Sequence, residues 1–424
     1  MHAEGPDLPE TGEVIVPLSC EPRTKWAEPP SGPLYPRRLP RAAYHPAPPV
    51  GVIRREARWR WALVAGAVAV LCALPAIAGA LPVSAPAVTA AGLRSRILAS
   101  SELSYAGYAE SDATFGLPPL PGLSDVTSLL DGVTRMRVWQ GSPSRWRVDV
   151  LSDAGERDTY ATPRSTYIWD SGSQLLTEVT GQPTIRLPRA ADFVPPALAV
   201  RLLREAGPSA RMTVLPPRRV AGLTASGLRV VPADPASTIG QINIWAEAAN
   251  GLPLQVEIVG RGTAHPALES QFFQVNSWRP DSRILTPSHG PGTGFAISSA
   301  SSFQGALNNL DPEVLPPTLA GRAISAISAS VAPIGVYGNG LSIFAVLTLR
   351  GSTGRSLLSG ARSAGGVPLK TAHGTGVLVT APLLTVVLMH RTGATDTFLL
   401  AGLADRQVLE QAAATLVSRP GEDY

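Results

Sequence analysis

TRMRVWQGSPSRWRVDVL, residues 134–151, carries the clearest strand pattern in this chain. It holds two short runs on either side of a turn of sequence GSP at 141–143. In the second run Trp146, Val148 and Val150 alternate with charged residues, and a period of two is typical of a half-buried strand. The stretch therefore predicts an antiparallel hairpin with one apolar face and one charged face.

Further strand and helix signals follow on both sides of this hairpin. The strongest is Asn250-Gly251 between two apolar runs, because this dipeptide readily adopts the positive φ angles of a tight hairpin turn. Pro195 and Gly207 enclose a predicted helix, since proline suits the first helical position and glycine the position after the last. We predict strands at 134–140, 145–151, 165–169, 174–180, 211–215, 223–231, 239–247, 252–259 and 271–278, and helices at 90–99 and 195–206.

These elements predict an α+β fold built on one long antiparallel sheet, which we assign to a first large domain at 90–280. A sheet whose strands each carry one apolar face must cover that face. We expect helices to cover it, or the sheet to curl around a ligand cavity.

A second, smaller α+β domain is predicted after a change in composition. Residues 281–312 are rich in Ser, Gly, Pro and Asn and are interpreted as a linker. Residues 313–424 then hold four strand signals and one helix, which Asp405 is expected to cap. The buried face of this helix is predicted to carry Leu409, Ala412, Ala413 and Leu416.

An apolar segment lies near the N-terminus. From Trp61 the chain meets no charged residue until Arg94, and four arginines precede the run. The uncharged run is long enough to cross a hydrocarbon core about 30 Å thick as a helix. The arginines before it indicate that the N-terminal side lies in the cytoplasm. We interpret 59–83 as a transmembrane signal anchor and 1–58 as a disordered, Pro-rich cytoplasmic arm. A cleaved signal peptide and a buried core helix are the alternatives.

Composition narrows the function classes. The chain of 424 residues has a formal net charge of only +4, which is no signature of nucleic-acid binding. Its cysteines are Cys20 and Cys72, so the body after the apolar segment must be stabilised without disulfides. No residue spacing indicates a metal site, and no GxSxG, HExxH or phosphate-loop motif indicates an enzyme. We expect no cofactor, no metal and no catalysis, with a hydrolase that lacks a recognisable motif as the alternative.

Several stretches resemble known families. VWQGSPSRWRVD at 138–149, TYIWDS at 166–171 and IWAEAANGLPLQVE at 244–257 resemble the LolA-like lipoprotein-carrier fold in its actinobacterial form. YGNGLSIFAV at 337–346 and FLLAGL at 398–403 resemble the small second domain of the MucB/RseB sigma-factor regulatory proteins. The order of the two resemblances matches the two predicted domains.

The resemblance implies an unclosed half-barrel, which is a curved antiparallel sheet with helices plugging its concave side. Members of the LolA-like family bind lipids, acyl chains or lipoproteins there, and MucB/RseB relatives restrain an anti-sigma factor. A transmembrane helix at 59–83 departs from this pattern, because an anchored protein cannot shuttle across the envelope. The departure favours a fixed receptor or sensor over a carrier.

Two sets of candidate site residues come from the first hairpin and the strands after it. The first set would line an apolar cavity for acyl chains, and its members are Trp139, Trp146, Trp169, Met136 and Val148. The second set would meet an anionic headgroup or an acidic partner, and its members are Arg135, Arg137, Arg145 and Arg147. The alternatives are an ordinary sheet core for the first set and a solvated outer face for the second.

The expected function follows from these features. We expect a single-pass protein of the cell membrane with a cytoplasmic N-terminus and an extracytoplasmic body. It would bind a lipid, an acyl chain or a lipoprotein and regulate an envelope-stress sigma-factor pathway through a membrane anti-sigma factor. The alternative is a lipid or lipoprotein transfer factor, or an envelope-assembly factor, that acts close to the membrane.

Overall fold

The computed structural model describes residues 55–80, 83–116, 128–153, 155–181, 188–288, 290, 292–299, 315–325, 334–349 and 351–419. Almost all of the predicted arm at 1–58 lies outside these residues. The chain divides into two compact units after Ala73, and all the sheets lie in the second unit.

The first described element is the helix α1 (Arg55–Ala80), whose side chains from Trp59 to Ala73 are exposed. It coincides with most of the segment 59–83, which the sequence predicts to span a membrane. Within the residues described above, no helix combines the length and the apolarity that crossing a membrane requires.

A large, mostly antiparallel sheet dominates the second unit. Its strands in the described part of the chain are β1 (Tyr105–Thr114), β2 (Asp131–Ser142), β3 (Arg145–Ser152), β4 (Gly155–Ala161), β5 (Thr166–Asp170), β6 (Leu175–Thr180), β7 (Arg211–Val220), β8 (Leu223–Val231), β9 (Ile239–Glu247), β10 (Pro253–Gly260), β11 (Pro266–Asn276) and β12 (Gly294–Ser299). They lie in the order β12-β6-β5-β4-β3-β2-β1-β11-β10-β9-β8-β7. β12 runs parallel to β6, and the other neighbours are antiparallel. Because β12 and β7 do not pair with each other, the sheet is not closed.

Two helices cover one face of this sheet, which we call the inner face. The helix α2 (Ala90–Ala99) starts at Thr89, whose hydroxyl accepts a hydrogen bond from the backbone N–H of Gly92 at 3.1 Å. The helix α3 (Pro195–Ala206) has proline at its first positions and ends at Gly207, whose φ of 67° suits glycine. Both helices bury apolar side chains in one core with the strands, and that core includes Leu93, Ile97, Leu198, Leu203, Leu228, Ile242, Ile244 and Val256.

The smaller sheet follows in the chain. A short strand pair, β13 (Thr318–Leu319) and β14 (Arg322–Ala323), precedes it. Its described strands are β15 (Ile334–Tyr337), β16 (Phe344–Leu349), β17 (Val367–Lys370), β18 (Gly374–Thr380), β19 (Thr385–Arg391) and β20 (Thr397–Gly402), in the order β15-β16-β20-β19-β18-β17. The helices α4 (Gly351–Ser363) and α5 (Arg406–Ser418) pack on it.

Segments of the smaller sheet contribute side chains to the hydrophobic core of the large sheet. Leu341 and Leu383, which flank strands of the smaller sheet, belong to the core under the large sheet and are 6% and 1% exposed. The hydroxyl of Thr238 donates a hydrogen bond to the carbonyl oxygen of Leu383 at 2.6 Å. A Cβ atom at Gly260 would collide with the carbonyl oxygen of Pro382, so this close approach requires glycine. The two domains are therefore packed as a joined body.

A half-buried polar group reinforces the same junction. Oδ2 of Asp234 accepts hydrogen bonds from Nη2 of Arg322 at 2.8 Å and from the hydroxyl of Ser342 at 2.6 Å. Burial alone would raise the pKa of Asp234, but these bonds and one from the backbone N–H of Ala236 hold it below its usual value. Asp234 is therefore a charged link between the domains.

Most of the predicted elements are confirmed. α2, α3, β8 and β9 have the predicted limits, and the hairpins around 141–143 and Asn250-Gly251 are present. Asp405 caps α5 by accepting a hydrogen bond from the N–H of Val408 at 3.0 Å, and all four side chains predicted on the buried face of this helix are buried. The predicted domain boundaries themselves stay predictions.

Several elements were not predicted. They are β1, β4, β17 and α4, together with the short strands β12, β13 and β14. Residues 294–299, predicted as linker, pair with β6 as the strand β12, because an unpaired edge strand offers free N–H and C=O groups to any nearby extended segment.

Candidate functional site

A cavity of about 430 Å³ lies between the inner face of β2 and β3 and the helix α3. Val138, Trp146 and Val148 line it from the sheet, and Ala197 and Val200 line it from the helix. Its volume is within the range of small-molecule sites. The cavity is therefore large enough for an apolar chain.

Polar groups lie around the cavity. Arg189, Arg201 and Arg204 belong to its lining, and the last two side chains are exposed on α3. Tyr105 and Gln140 also line the cavity; the hydroxyl of Tyr105 donates a hydrogen bond to Oε1 of Gln140 at 3.1 Å, and burial raises the pKa of this tyrosine. Asp192 also lines the cavity, so three arginines face one carboxylate there. An apolar floor beside this excess of positive charge fits a ligand with an apolar body and an anionic end.

The opposite face, which we call the outer face, carries a group of charged side chains centred on Arg147. Its Nε donates to Oδ1 of Asp149 at 2.6 Å, and its Nη2 donates to Oδ2 of Asp158 at 2.8 Å. The rings of Trp139 and Tyr160 lie against the same guanidinium, with centroids 5.1 and 4.9 Å from Cζ. Arg147 is thus held by two carboxylates and two aromatic rings.

Burial perturbs the two aspartates that bind Arg147. It raises the pKa of Asp149 to about 8, although the hydrogen bond from Arg147 acts in the opposite direction. It also raises the pKa of Asp158, again against the charge of Arg147. Two buried carboxylates so close together resist carrying their charges at the same time.

A second polar group lies on the outer face of β9 and β10. Cζ of Arg218 is 3.2 Å from the centroid of the Trp245 ring, and Nη2 of Arg218 donates to Oε1 of Glu257 at 3.0 Å. Oε2 of the same glutamate accepts a hydrogen bond from Nδ2 of Asn243 at 3.0 Å. Trp245 therefore has its partners on the face opposite to the cavity.

The structure separates the predicted cavity residues into two groups. Trp146 and Val148 line the cavity. Met136 shares their face but is fully buried in the core beside it. Trp139 and Trp169 lie on the outer face, so their assignment to the cavity is corrected. The reason is parity: in the register of β2 to β5, Trp139 pairs with Arg147 and Trp169 pairs with Asp158.

The four predicted arginines do share the outer face, but their surroundings differ. Arg135 and Arg137 are exposed and lie 3.8 Å and 4.0 Å from Glu110 and Glu156. Arg145 is exposed and donates a hydrogen bond to the hydroxyl of Thr286 at 3.4 Å. Arg147 alone among these four is largely buried, with its side chain 21% exposed. It is engaged by the chain's own carboxylates.

The arginines beside the cavity were not predicted from the sequence. Arg189, Arg201 and Arg204 lie in or before α3, far along the chain from the hairpin whose inner face they approach. The signal was present in part, because Arg201 and Arg204 are three residues apart and such residues share one face of a helix. Tertiary packing determines whether this face of α3 lies towards the cavity, so the sequence alone does not place these arginines there.

The chain can be compared with known proteins. Neither a protein-family model nor a curated protein matches the sequence. Solved structures do match. The chain is similar to the MucA/MucB complex of Pseudomonas aeruginosa at 17% identity, with 76% of this chain and 96% of that chain covered and a TM-score of 0.44. It is similar to MucB in complex with MucA(peri) at 15% identity, with 76% and 97% covered and a TM-score of 0.43.

A LolA superfamily protein from Nitrosomonas europaea matches a smaller part of the chain. The identity is 14%, 47% of this chain and 99% of that chain are covered, and the TM-score is 0.23. At these identities the likeness concerns the fold alone. The names of these matches agree with the LolA-like and MucB/RseB-type resemblance of the sequence motifs, and the actinobacterial form stays a prediction.

Proposed function

We propose that this chain is an extracytoplasmic binding and regulatory protein, which holds a lipid, an acyl chain or an acylated protein segment in the inner-face cavity. The observation that carries the proposal is the cavity itself, with an apolar floor from β2 and β3 and with arginines beside it. Apolar walls bury a hydrocarbon chain, and the guanidinium groups attract an anionic end. The protein would bind its ligand without converting it.

The second domain is proposed to transmit occupancy to a membrane anti-sigma factor, the partner class that the sequence resemblance implies. The junction supports this role, because Leu341 and Leu383 pack in the same core as α3, and α3 forms one wall of the cavity. A change in the position of α3 would therefore act on residues next to the smaller sheet.

Filling the cavity is expected to abolish ligand binding. Ala197 is exposed, lies on α3 and lines the cavity, so Ala197→Trp places a large ring in the cavity without disturbing the core. We expect the affinity for a fluorescent fatty acid to fall at least about tenfold, which corresponds to about 1.4 kcal/mol. Titration of the full-length protein, with mass spectrometry of lipids extracted from it, measures this.

A matched variant tests whether the loss is local. Ala264 is exposed in the turn between β10 and β11, and Ala264→Trp should bind as the unmodified protein does. Equal affinities for the two variants, or no bound lipid in the unmodified protein, would contradict the proposed site.

The alternative function is transfer of a lipid or lipoprotein between membranes. Exchange of a fluorescent lipid between two vesicle populations separates the two functions. A carrier accelerates this exchange, whereas a sensor binds the lipid without speeding its transfer and instead changes its affinity for the anti-sigma factor.

Attachment of the chain to the cell membrane through 59–83 is also a proposal. The absence of charged residues between Trp61 and Arg94 supports it. Val68→Arg combined with Leu71→Arg is expected to release the protein from washed membranes, because each arginine costs about 2.5–3.5 kcal/mol near the centre of an inserted helix. If the unmodified protein already stays in the soluble fraction, the membrane attachment is wrong.

A further inference from the structure

The outer face of the large sheet carries three carboxylates that the proposed ligand cavity does not use. Asp149, Glu156 and Asp158 each place one carboxylate oxygen within 4.8 Å of an oxygen of the other two. Asp149 and Asp158 pair across β3 and β4, and only 1% and 3% of their surface is exposed. Burying like charges this way is costly unless a positive group lies between them.

Arg147 supplies one positive charge but satisfies only one oxygen of each aspartate. It donates to Oδ1 of Asp149 and to Oδ2 of Asp158, and the hydroxyl of Tyr160 donates to that same Oδ2 at 3.3 Å. Oδ2 of Asp149 and Oδ1 of Asp158 are fully buried and accept no hydrogen bond. Buried polar atoms in native proteins nearly always have a partner, so two neighbouring ones without any indicate a ligand.

The charges around these oxygens do not balance. When all three carboxylates are ionised, the single guanidinium of Arg147 leaves a formal charge of −2. Arg137 is 4.0 Å from Glu156, but its side chain is 53% exposed and its charge is screened by water. A divalent cation would supply the missing charge.

We propose that Asp149, Glu156 and Asp158 form a binding site for a hard divalent cation of the Ca²⁺ type. Carboxylate oxygens are the ligands that such cations prefer. Ca²⁺–oxygen distances of about 2.3–2.6 Å allow two ligand atoms to lie up to about 5 Å apart across the ion, and the three carboxylate oxygens all lie within 4.8 Å of one another. Glu156, with its side chain 36% exposed, opens the site to solvent, and water completes the coordination.

Neighbouring aromatic rings provide a direct readout. Trp139 and Tyr160 lie against Arg147, and Trp169 pairs with Asp158 across β4 and β5. Excited tryptophan and tyrosine transfer energy to a Tb³⁺ ion bound nearby, and Tb³⁺ has the ligand preference of Ca²⁺. Full-length protein freed of metal with EDTA is therefore expected to sensitise Tb³⁺ luminescence, and Ca²⁺ is expected to compete with it.

Substitutions at the site and next to it complete the test. Asp149→Asn, Asp158→Asn and Glu156→Gln are each expected to weaken Tb³⁺ and Ca²⁺ binding at least about tenfold, since loss of an outer-shell partner alone costs 10–100-fold. Of the three variants, Glu156→Gln is expected to disturb folding least, because the Glu156 side chain is partly exposed and its backbone N–H, which donates a hydrogen bond to Oγ of Ser171, is unchanged. Asp153→Asn, at an exposed position between β3 and β4, should bind like the unmodified protein.

The unmodified protein should also unfold at a higher temperature in millimolar CaCl₂ than in EDTA, and Glu156→Gln should lose this difference. If the unmodified protein shows neither sensitised Tb³⁺ luminescence nor a Ca²⁺-dependent shift, the cation site is overturned and the cluster is neutralised by a proton. Equal Tb³⁺ binding by Glu156→Gln and Asp153→Asn would overturn it as well. Neither outcome touches the lipid cavity, which lies on the other face of the sheet.

Discussion

Arg147→Met is expected to lower the free energy of unfolding by about 3–5 kcal/mol, because it leaves a buried carboxylate pair without its counter-charge. Asp149 and Asp158 accept two of the shortest ion-pair hydrogen bonds on the outer face, at 2.6 and 2.8 Å, both from this one side chain. Methionine keeps most of the side-chain volume against the Trp139 ring, so the decrease in the free energy of unfolding comes mainly from the lost charge and not from lost packing. Urea unfolding of the full-length protein in EDTA measures the effect.

Two further variants separate the charge from the packing. Arg137→Met removes an arginine of the same face that is exposed and 4.0 Å from its carboxylate partner, and we expect a change within about 0.5 kcal/mol. Arg147→Met combined with Asp149→Leu and Asp158→Leu should recover much of the lost stability, because a buried charged group can be replaced as a whole by apolar side chains. A triple variant as unstable as Arg147→Met alone would show that the rings and not the charges hold this face together.

The first hairpin shows how far local sequence determines the fold and the site. Alternation in 134–151 predicts both strands, their turn and the inner position of Trp146 and Val148, because side-chain direction in a strand has a period of two. The same rule places Trp139 on the outer face with the arginines. Its assignment to the cavity followed residue type and ignored position, and parity alone would have corrected it.

Other features depend on contacts between distant parts of the chain. α4 contains Gly351, Gly354 and Gly360, and each glycine lowers helix propensity by about 1 kcal/mol. A Cβ at Gly354 would come within 2.5 Å of the side chain of Thr397, so close packing against β20 requires this glycine. Tertiary packing thus selects a sequence that local propensity disfavours.

The carboxylate cluster was not predicted from the sequence because it also depends on contacts between separate strands. Asp149 and Asp158 meet because β3 pairs with β4, and β4 shows no clear apolar alternation in its sequence GERDTYA. The cavity likewise depends on α3 lying across β2 and β3, although about 50 residues of chain separate them. Register and helix placement bring these groups together, and neither is encoded in one local stretch.

Removing apolar contacts at the junction of the two sheets is expected to make the two domains unfold separately. Leu341→Ala with Leu383→Ala removes two buried side chains that smaller-sheet segments contribute to the core of the large sheet. Each Leu→Ala change in a core costs about 2–5 kcal/mol. Because both losses fall at the junction, we expect the single unfolding transition of the unmodified protein to split, with the smaller sheet melting at lower urea.

Tryptophan content makes this measurable without a label. Residues 313–424 contain no tryptophan, so tryptophan fluorescence reports on the large sheet and on the N-terminal segments. Hydrogen exchange of peptides from β18 to β20 reports on the smaller sheet. In the unmodified protein the two signals should change at the same urea concentration, and in the double variant their midpoints should separate.

Leu400→Ala is the matched control, since Leu400 is fully buried in the core of the smaller sheet alone. It should destabilise the protein by a similar amount while both signals still change together. If the unmodified protein already unfolds in two steps, the domains are not coupled and a ligand in the cavity has no packed route to the second domain. If instead only the junction variant separates the signals, occupancy of the cavity and the state of the smaller sheet are linked through α3, Leu341 and Leu383, as the proposed regulatory function requires.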